Sequence, residues 1–237
     1  MSDSIVIIPT YNEKDNVEKM SRTVLGLNKD FHILFIDDNS PDGTADIIRK
    51  LQEEFPNRIY LEERQGKLGL GTAYIHGFRW SIEQGYDFVF EMDCDFSHNP
   101  LDLERLYKAC AEDGADVAVG SRYVKGGKVE NWPINRILMS YFASVYVRMI
   151  LCIGIKDTTA GFKCYRREVL EKINLDGVTF KGYAFQICMK YAALKHKFKI
   201  TEVPITFIDR VYGESKMSTG IFKEAFFGVW KMRKMDL

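Results

Sequence analysis

The residues best placed to do chemistry are Asp93 and Asp95, two carboxylates one residue apart at the end of the apolar run Phe88-Val-Phe-Glu-Met92. Side chains alternate along an extended segment, so both acids are expected on one face, where like charges repel unless a cation or a proton lies between them. Hard oxygen donors at this spacing suit Mg²⁺ or Mn²⁺ holding a diphosphate. An Asp-X-Asp triplet also occurs in solvated turns. The apolar run in front of this one favours a site, because ligands of open α/β sheets bind beyond the carboxyl ends of the strands.

Two further loops carry acids after apolar runs: Pro9-Thr-Tyr-Asn-Glu13 and Asp37-Asp-Asn-Ser-Pro-Asp-Gly43. Turn chemistry accounts for Asp42 and Gly43. Glu13 and Asp38, recurring at what should be the same sheet edge, would accept hydrogen bonds from the base or ribose of a nucleotide whose phosphates the cation neutralises. His98 reads as a residue opening the helix before Pro100 rather than as a ligand. Gly66-Lys-Leu-Gly-Leu-Gly71 lacks the spacing of a phosphate loop and reads as a helix-opening turn. Positive charge comes from the second half, at Arg122, Lys125, Lys128, Arg136, Arg210 and Lys216. Such groups clamp phosphate oxygens and stabilise a departing diphosphate.

The elements that must position these residues follow from periodicity. A β-branched run over 4–8 and a helix over 16–27, with Val17, Met20, Val24 and Leu27 on one stripe, start the chain. Strands over 32–36 and 58–61 alternate with helices over 44–55 and from the glycine turn to 83. The acid-bearing strand begins at 87, a helix covers 101–113 and another buried strand covers 116–120. This alternation predicts an α/β fold: a Rossmann-like, mostly parallel sheet with right-handed crossovers and helices on both faces. The second half is less regular. It offers a glycine turn at 126–127, an apolar helix from Ile134, the loop Asp157-Thr-Thr-Ala-Gly-Phe162, a helix over 182–195, a strand over 199–208 and an amphipathic helix over 220–234. Asp157 reads either as an organiser of the second half of a site or as a turn residue.

Composition narrows the class. A chain of 237 residues fits one domain, 1–237, and its 33 basic against 33 acidic residues exclude a general nucleic-acid binder. Five cysteines without a CxxC pairing read as reduced thiols of a cytosolic protein. The N-terminus carries no secretory pattern. The stretch 137–155 approaches the length of a membrane span but includes Arg148, Ser140 and Ser144, which predicts a partly buried or interfacial helix. With the basic, aromatic 220–234 segment it would suit the surface of an anionic membrane.

Taken in order, Pro9-Thr-Tyr-Asn-Glu13, Asp37-Asp-Asn-Ser-Pro-Asp-Gly-Thr44, Asp93-Cys-Asp95, Gly120-Ser-Arg-Tyr123, Asn131-Trp-Pro133 and Gly213-Glu-Ser-Lys216 resemble glycosyltransferases of family 2 over nearly the whole chain. Tyr123-Val-Lys-Gly-Gly-Lys-Val-Glu-Asn-Trp-Pro133 and the segment 210–216 narrow the resemblance to the dolichol-phosphate (polyprenol-phosphate) mannose synthase group. The resemblance implies a GT-A fold and an inverting transfer of mannose from GDP-mannose to a dolichyl or polyprenyl phosphate. By it, Pro9, Tyr11, Glu13, Ile36 and Asp38 would hold guanosine, and Asp93, Cys94 and Asp95 would meet ribose, phosphates and metal. Ser97 stands where some relatives have a metal-ligating glutamine. Arg122, Gln186, Arg210 and Lys216 would contact the donor; Arg122, Arg136 and Ser140 would contact the acceptor phosphate. Some relatives have lysine in place of Gln186, and some continue into transmembrane helices. A peripheral enzyme on the cytoplasmic face, or one docked to membrane-anchoring partner proteins, is the expectation here. Use of a UDP-sugar such as UDP-glucose, and a non-catalytic nucleotide-binding module, are the competing readings.

Overall fold

The computed structural model describes residues 2–209 and 219–237. Its main sheet has seven strands in the order β3-β2-β1-β4-β7-β5-β8. These are β1 (Ser4–Thr10), β2 (His32–Asp37), β3 (Ile59–Glu63), β4 (Phe88–Glu91), β5 (Val117–Ser121), β7 (Lys163–Arg166) and β8 (Ile200–Pro204). All neighbours pair in parallel except β7, which runs antiparallel between β4 and β5. The expected mostly parallel α/β sheet is therefore observed.

Period-two burial explains how the sheet acquires two cores. Ile5, Ile7, Leu34 and Ile36 point to one face, Val6, Ile8, Ile33 and Phe35 to the other, and all are fully buried. The second face is covered by α1 (Val17–Leu25), α2 (Thr44–Glu54) and α4 (Asp102–Ala111). The first is covered by α3 (Leu70–Glu83), α7 (Tyr183–Lys195) and parts of α5 (Ile134–Leu151) and α8 (Thr219–Met232). Helix α3 lies close on β1 because Gly77 faces Ile7: a Cβ there would sit 2.8 Å from the Ile7 Cγ2.

The second half departs from the expectations. The segment 199–208 is not one strand: Ile205 separates β8 from β9 (Thr206–Ile208), which pairs with β6 (Lys128–Glu130) in a separate ribbon. Strand β7 and the short helix α6 (Arg167–Lys172) have no counterpart in the periodicity. Lys163 is fully buried there, standing opposite Glu91 across the β4–β7 pair. A cross-strand ion pair makes a charged residue compatible with the middle of a sheet.

Helix α5 is the apolar segment expected to be interfacial. Only Ser144, Val147 and Leu151 of its 18 residues are buried, while Ile134, Leu138, Met139, Tyr141, Phe142 and Met149 are exposed. Among the described residues, no helix is long and apolar enough to cross a membrane.

Candidate active site

The three acidic loops do emerge together. Strands β2, β1 and β4 are adjacent and parallel, so the loops after Asp37, Thr10 and Glu91 leave the same sheet edge. Each contains one non-glycine residue in the left-handed region: Asn39 (φ 58°), Asn12 (φ 57°) and Phe96 (φ 60°). Asparagine adopts it cheaply, but a bulky phenylalanine does so only where the surroundings impose it.

Asp37 is structural. It accepts from Thr10 Oγ1 at 2.8 Å, from Ser40 Oγ at 2.6 Å and from the Ser40 N–H at 2.8 Å, and so ties the first two loops together. Asp38 turns into a cleft of ≈ 570 Å³. Its Oδ1 accepts from Arg64 Nε at 2.6 Å and lies 2.5 Å from Arg64 Nη2. Arg64 also donates to Thr72 Oγ1 at 2.8 Å. Burial raises the Asp38 carboxyl above its ordinary value, and Arg64 opposes that shift. The sequence reading missed Arg64; its signal is a position just after β3, at the same edge, ahead of the glycine turn.

Asp93 and Asp95 share the cleft wall, but not by strand alternation. Strand β4 ends at Glu91, and a turn through Phe96 brings the pair together. Within that turn Asp95 Oδ1 accepts from the Ser97 N–H at 3.0 Å. Asp95 is 8% exposed, whereas the Asp93 side chain is 40% exposed. His98 supports the turn from behind. Its Nδ1 accepts from the Asp93 N–H at 3.2 Å, and its ring stacks on Phe162 at 5.0 Å. An accepting Nδ1 leaves the proton on Nε2.

Burial lowers the His98 pKa from 6.5 to about 4. The unfolded chain therefore takes up this proton first, and between these two values stability falls as pH falls, by roughly 3 kcal/mol in total. Urea midpoints measured from pH 7 to pH 4.5 should decline more steeply for the wild type than for His98→Asn.

The fit to a divalent cation rests on the donor set. No third His, Cys, Asp or Glu joins Asp93 and Asp95 among the described residues. Mg²⁺ is commonly held by one or two carboxylates with phosphate oxygens and water completing the shell, so the pair suits a cation arriving with a diphosphate.

Of the other expected residues, Pro9, Tyr11, Glu13, Ser97, Arg122, Arg136 and Gln186 line the cleft. Two side chains do not. Ile36 is 0% and Cys94 3% exposed, each packed in a core cluster, so only their backbone can face a ligand. Arg210 and Lys216 lie outside the described residues. Ser140 lines an adjoining groove of ≈ 530 Å³, walled by apolar side chains of α5, α7 and α8 such as Phe142, Val147, Ile187 and Phe226. Cleft and groove share Arg122, Trp132, Arg136, Thr159 and Tyr183.

Arg122 follows β5 and is 9% exposed. Its Nε and Nη2 donate to the two oxygens of Asp157 at 2.7 and 2.6 Å, and its backbone N–H donates to Oδ2 at 2.9 Å. Burial alone would raise the Asp157 carboxyl, but Arg122 overrides it and the pKa lies below its ordinary value. Asp157 is thus the partner that aims Arg122. Gln186 is held at both ends of its amide: Nε2 donates to Glu91 Oε2 at 2.9 Å, and Oε1 accepts from Lys163. Lys163 and Glu91 themselves pair at 3.0 Å with no exposure.

The profile of Glycosyl transferase family 2 matches residues 5–174. The chain is 47% identical over 232 residues to the polyprenol monophosphomannose synthase of Mycolicibacterium smegmatis, covering 97% of this chain and 87% of that protein. It is 44% identical over 225 residues to the undecaprenyl-phosphate mannosyltransferase of Micrococcus luteus, covering 95% and 91%. Among solved structures, glucosyl-3-phosphoglycerate synthase from Mycobacterium tuberculosis, in complex with Mn²⁺, UDP and glucosyl-3-phosphoglycerate, aligns with TM-score 0.66 at 16% identity, covering 97% of this chain and 78% of that one. A mannosyltransferase from Pyrobaculum calidifontis in complex with GDP-Man and Mn²⁺ aligns with TM-score 0.60 at 16% identity, covering 97% and 69%. At that identity the two structures speak for the fold.

Proposed function

The chain belongs to glycosyl transferase family 2, and on that premise we propose that it transfers mannose from GDP-mannose to a polyprenyl or dolichyl phosphate, releasing GDP. The observation that carries this reading is the junction: an acidic cleft suited to a nucleotide and an apolar groove suited to a hydrocarbon chain meet at Arg122 and Arg136. A lipid phosphate is the acceptor whose charged and apolar parts match that arrangement. Contributions to the cleft from Pro9 through Phe207 support one catalytic domain over 1–237.

In this mechanism Pro9, Tyr11, Glu13 and Asp38 hold the guanosine. Asp93 and Asp95, with Ser97 beside them, hold Mg²⁺ or Mn²⁺, which when bound offsets the charge of the diphosphate. Arg122, Arg136 and Ser140 hold the acceptor phosphate against the anomeric carbon, and the chain lies in the groove. A phosphate oxygen forms the new bond to that carbon from the face opposite the departing GDP, inverting the centre. With a second pKa of about 6 the monoester is largely ionised at neutral pH, so positioning replaces a strong base. Arg210 and Lys216 are assigned to the donor phosphates by resemblance.

The exposed apolar faces of α5 and α8 support membrane docking. Phe142, Phe227 and Trp230 are 61, 69 and 52% exposed, and Arg136, Lys231, Arg233 and Lys234 accompany them. An amphipathic face with basic flanks binds anionic lipid surfaces. The enzyme would act at the cytoplasmic face, on the lipid directly or beside membrane-anchoring partner proteins.

The test is transfer of radiolabelled mannose from GDP-mannose to short polyprenyl phosphates in anionic vesicles, with UDP-glucose in parallel. Labelled lipid is expected from GDP-mannose, with chelation abolishing it and the protein sedimenting with the vesicles. Preference for UDP-glucose would overturn the donor, and nucleotide binding without turnover would favour the non-catalytic reading.

A further inference from the structure

Trp132 takes no part in the mechanism above, yet it lines both the cleft and the groove. It lies between β6 and α5, and the following Pro133 caps α5. The Arg136 guanidinium sits 3.9 Å from its ring centroid and the Arg122 guanidinium 5.6 Å. One indole thus serves two cations, both within the range of a cation–π attraction. The two arginines have different anionic partners: Arg122 pairs with Asp157 at 2.6 Å, and Arg136 with Asp209 at 3.1 Å. Among these contacts the ring is what the two arginines have in common.

The indole is held by packing. Its Nε1 is buried and has no hydrogen-bond partner among the described residues. Phe207 meets it edge-on at 5.2 Å, and Phe207 in turn meets His98 at 5.5 Å. The row Phe162, His98, Phe207, Trp132 therefore runs from behind the acidic turn to the paired arginines.

We infer that Trp132 is a positioning residue for the acceptor: its ring holds Arg122 and Arg136 together at the mouth of the groove, where one lipid phosphate engages both. The inference rests on the function proposed above. Asp157 keeps Arg122 in place, so removing the ring should chiefly release Arg136, affecting the acceptor and sparing the donor.

The test compares Trp132→Leu, Trp132→Phe, Arg136→Met and the Trp132→Leu/Arg136→Met double variant with wild type in mannosyl transfer to a short polyprenyl phosphate. Trp132→Leu is expected to raise the acceptor KM about tenfold, with the GDP-mannose KM and calorimetric GDP affinity unchanged. Trp132→Phe, which keeps a smaller π-face, should raise it about threefold. In the Arg136→Met background the leucine substitution should add little, because Arg122 keeps its Asp157 partner and the ring acts chiefly through Arg136. A general packing role would raise both KM values together, or add its full effect in the double variant, and either result overturns the inference. If Trp132→Leu shows no cooperative melt, Trp132→Phe decides in both backgrounds, and an unchanged acceptor KM for it is likewise negative. A wild-type enzyme that transfers no mannose defeats the functional reading itself. Active wild type with an indifferent Trp132 defeats only this proposal.

Discussion

Asp95→Ala is expected to lower mannosyl transfer by about a thousandfold or more while the protein stays folded. The carboxylate lies in the cleft wall, 8% exposed, at the end of a turn that also presents Asp93. With one of two acidic donors gone, a divalent cation loses its place, and with it the charge that stabilises a departing diphosphate. The structural cost is smaller. The Ser97 N–H loses an acceptor, worth about 1 kcal/mol. Turnover with added Mg²⁺ or Mn²⁺, calorimetry of GDP binding with and without metal, and a thermal melt separate these effects. Metal-dependent transfer retained by Asp95→Ala would show that the cation is held elsewhere.

Asp157→Ala should act on stability first. Arg122 is 9% exposed, and Asp157 takes two of its side-chain N–H groups and its backbone N–H. Removing one member of a buried pair leaves the other charge uncompensated, which costs about 3–5 kcal/mol. Urea unfolding measures it directly. Asp157→Asn, which keeps an acceptor but loses the charge, should fall between alanine and wild type. The double substitution Arg122→Met with Asp157→Leu should recover much of the loss, since no lone charge remains buried. It should recover no transfer, because the acceptor phosphate has lost Arg122. A change below about 1 kcal/mol for Asp157→Ala would mean the guanidinium finds water or another acceptor when freed.

How far each residue could be read from the chain follows the distance over which its environment is set. The strands and helices before Ser121 match their expected spans to within a few residues, since an apolar period states which face is buried. The acidic loops could be assigned to one edge because consecutive parallel strands must all end there. Strand β7 was not legible for the opposite reason: Lys163 is charged, and only Glu91, brought opposite by the β4–β7 pairing, makes it a core residue. The five cysteines are free thiols, as their spacing implied.

The sequence by itself determined the alternating sheet, the three acidic loops at its edge and the apolar helix that stays exposed, because each is written in local period or in turn residues. Tertiary structure alone decided which charged side chains work as pairs. Asp38 meets Arg64 across 26 residues, Arg122 meets Asp157 across 35, and Gln186 meets Glu91 across 95. A buried charge is tolerated only beside its partner, and that partner is chosen by how the chain folds back. The same folding set Trp132 between two arginines and made one wall common to a polar cleft and an apolar groove.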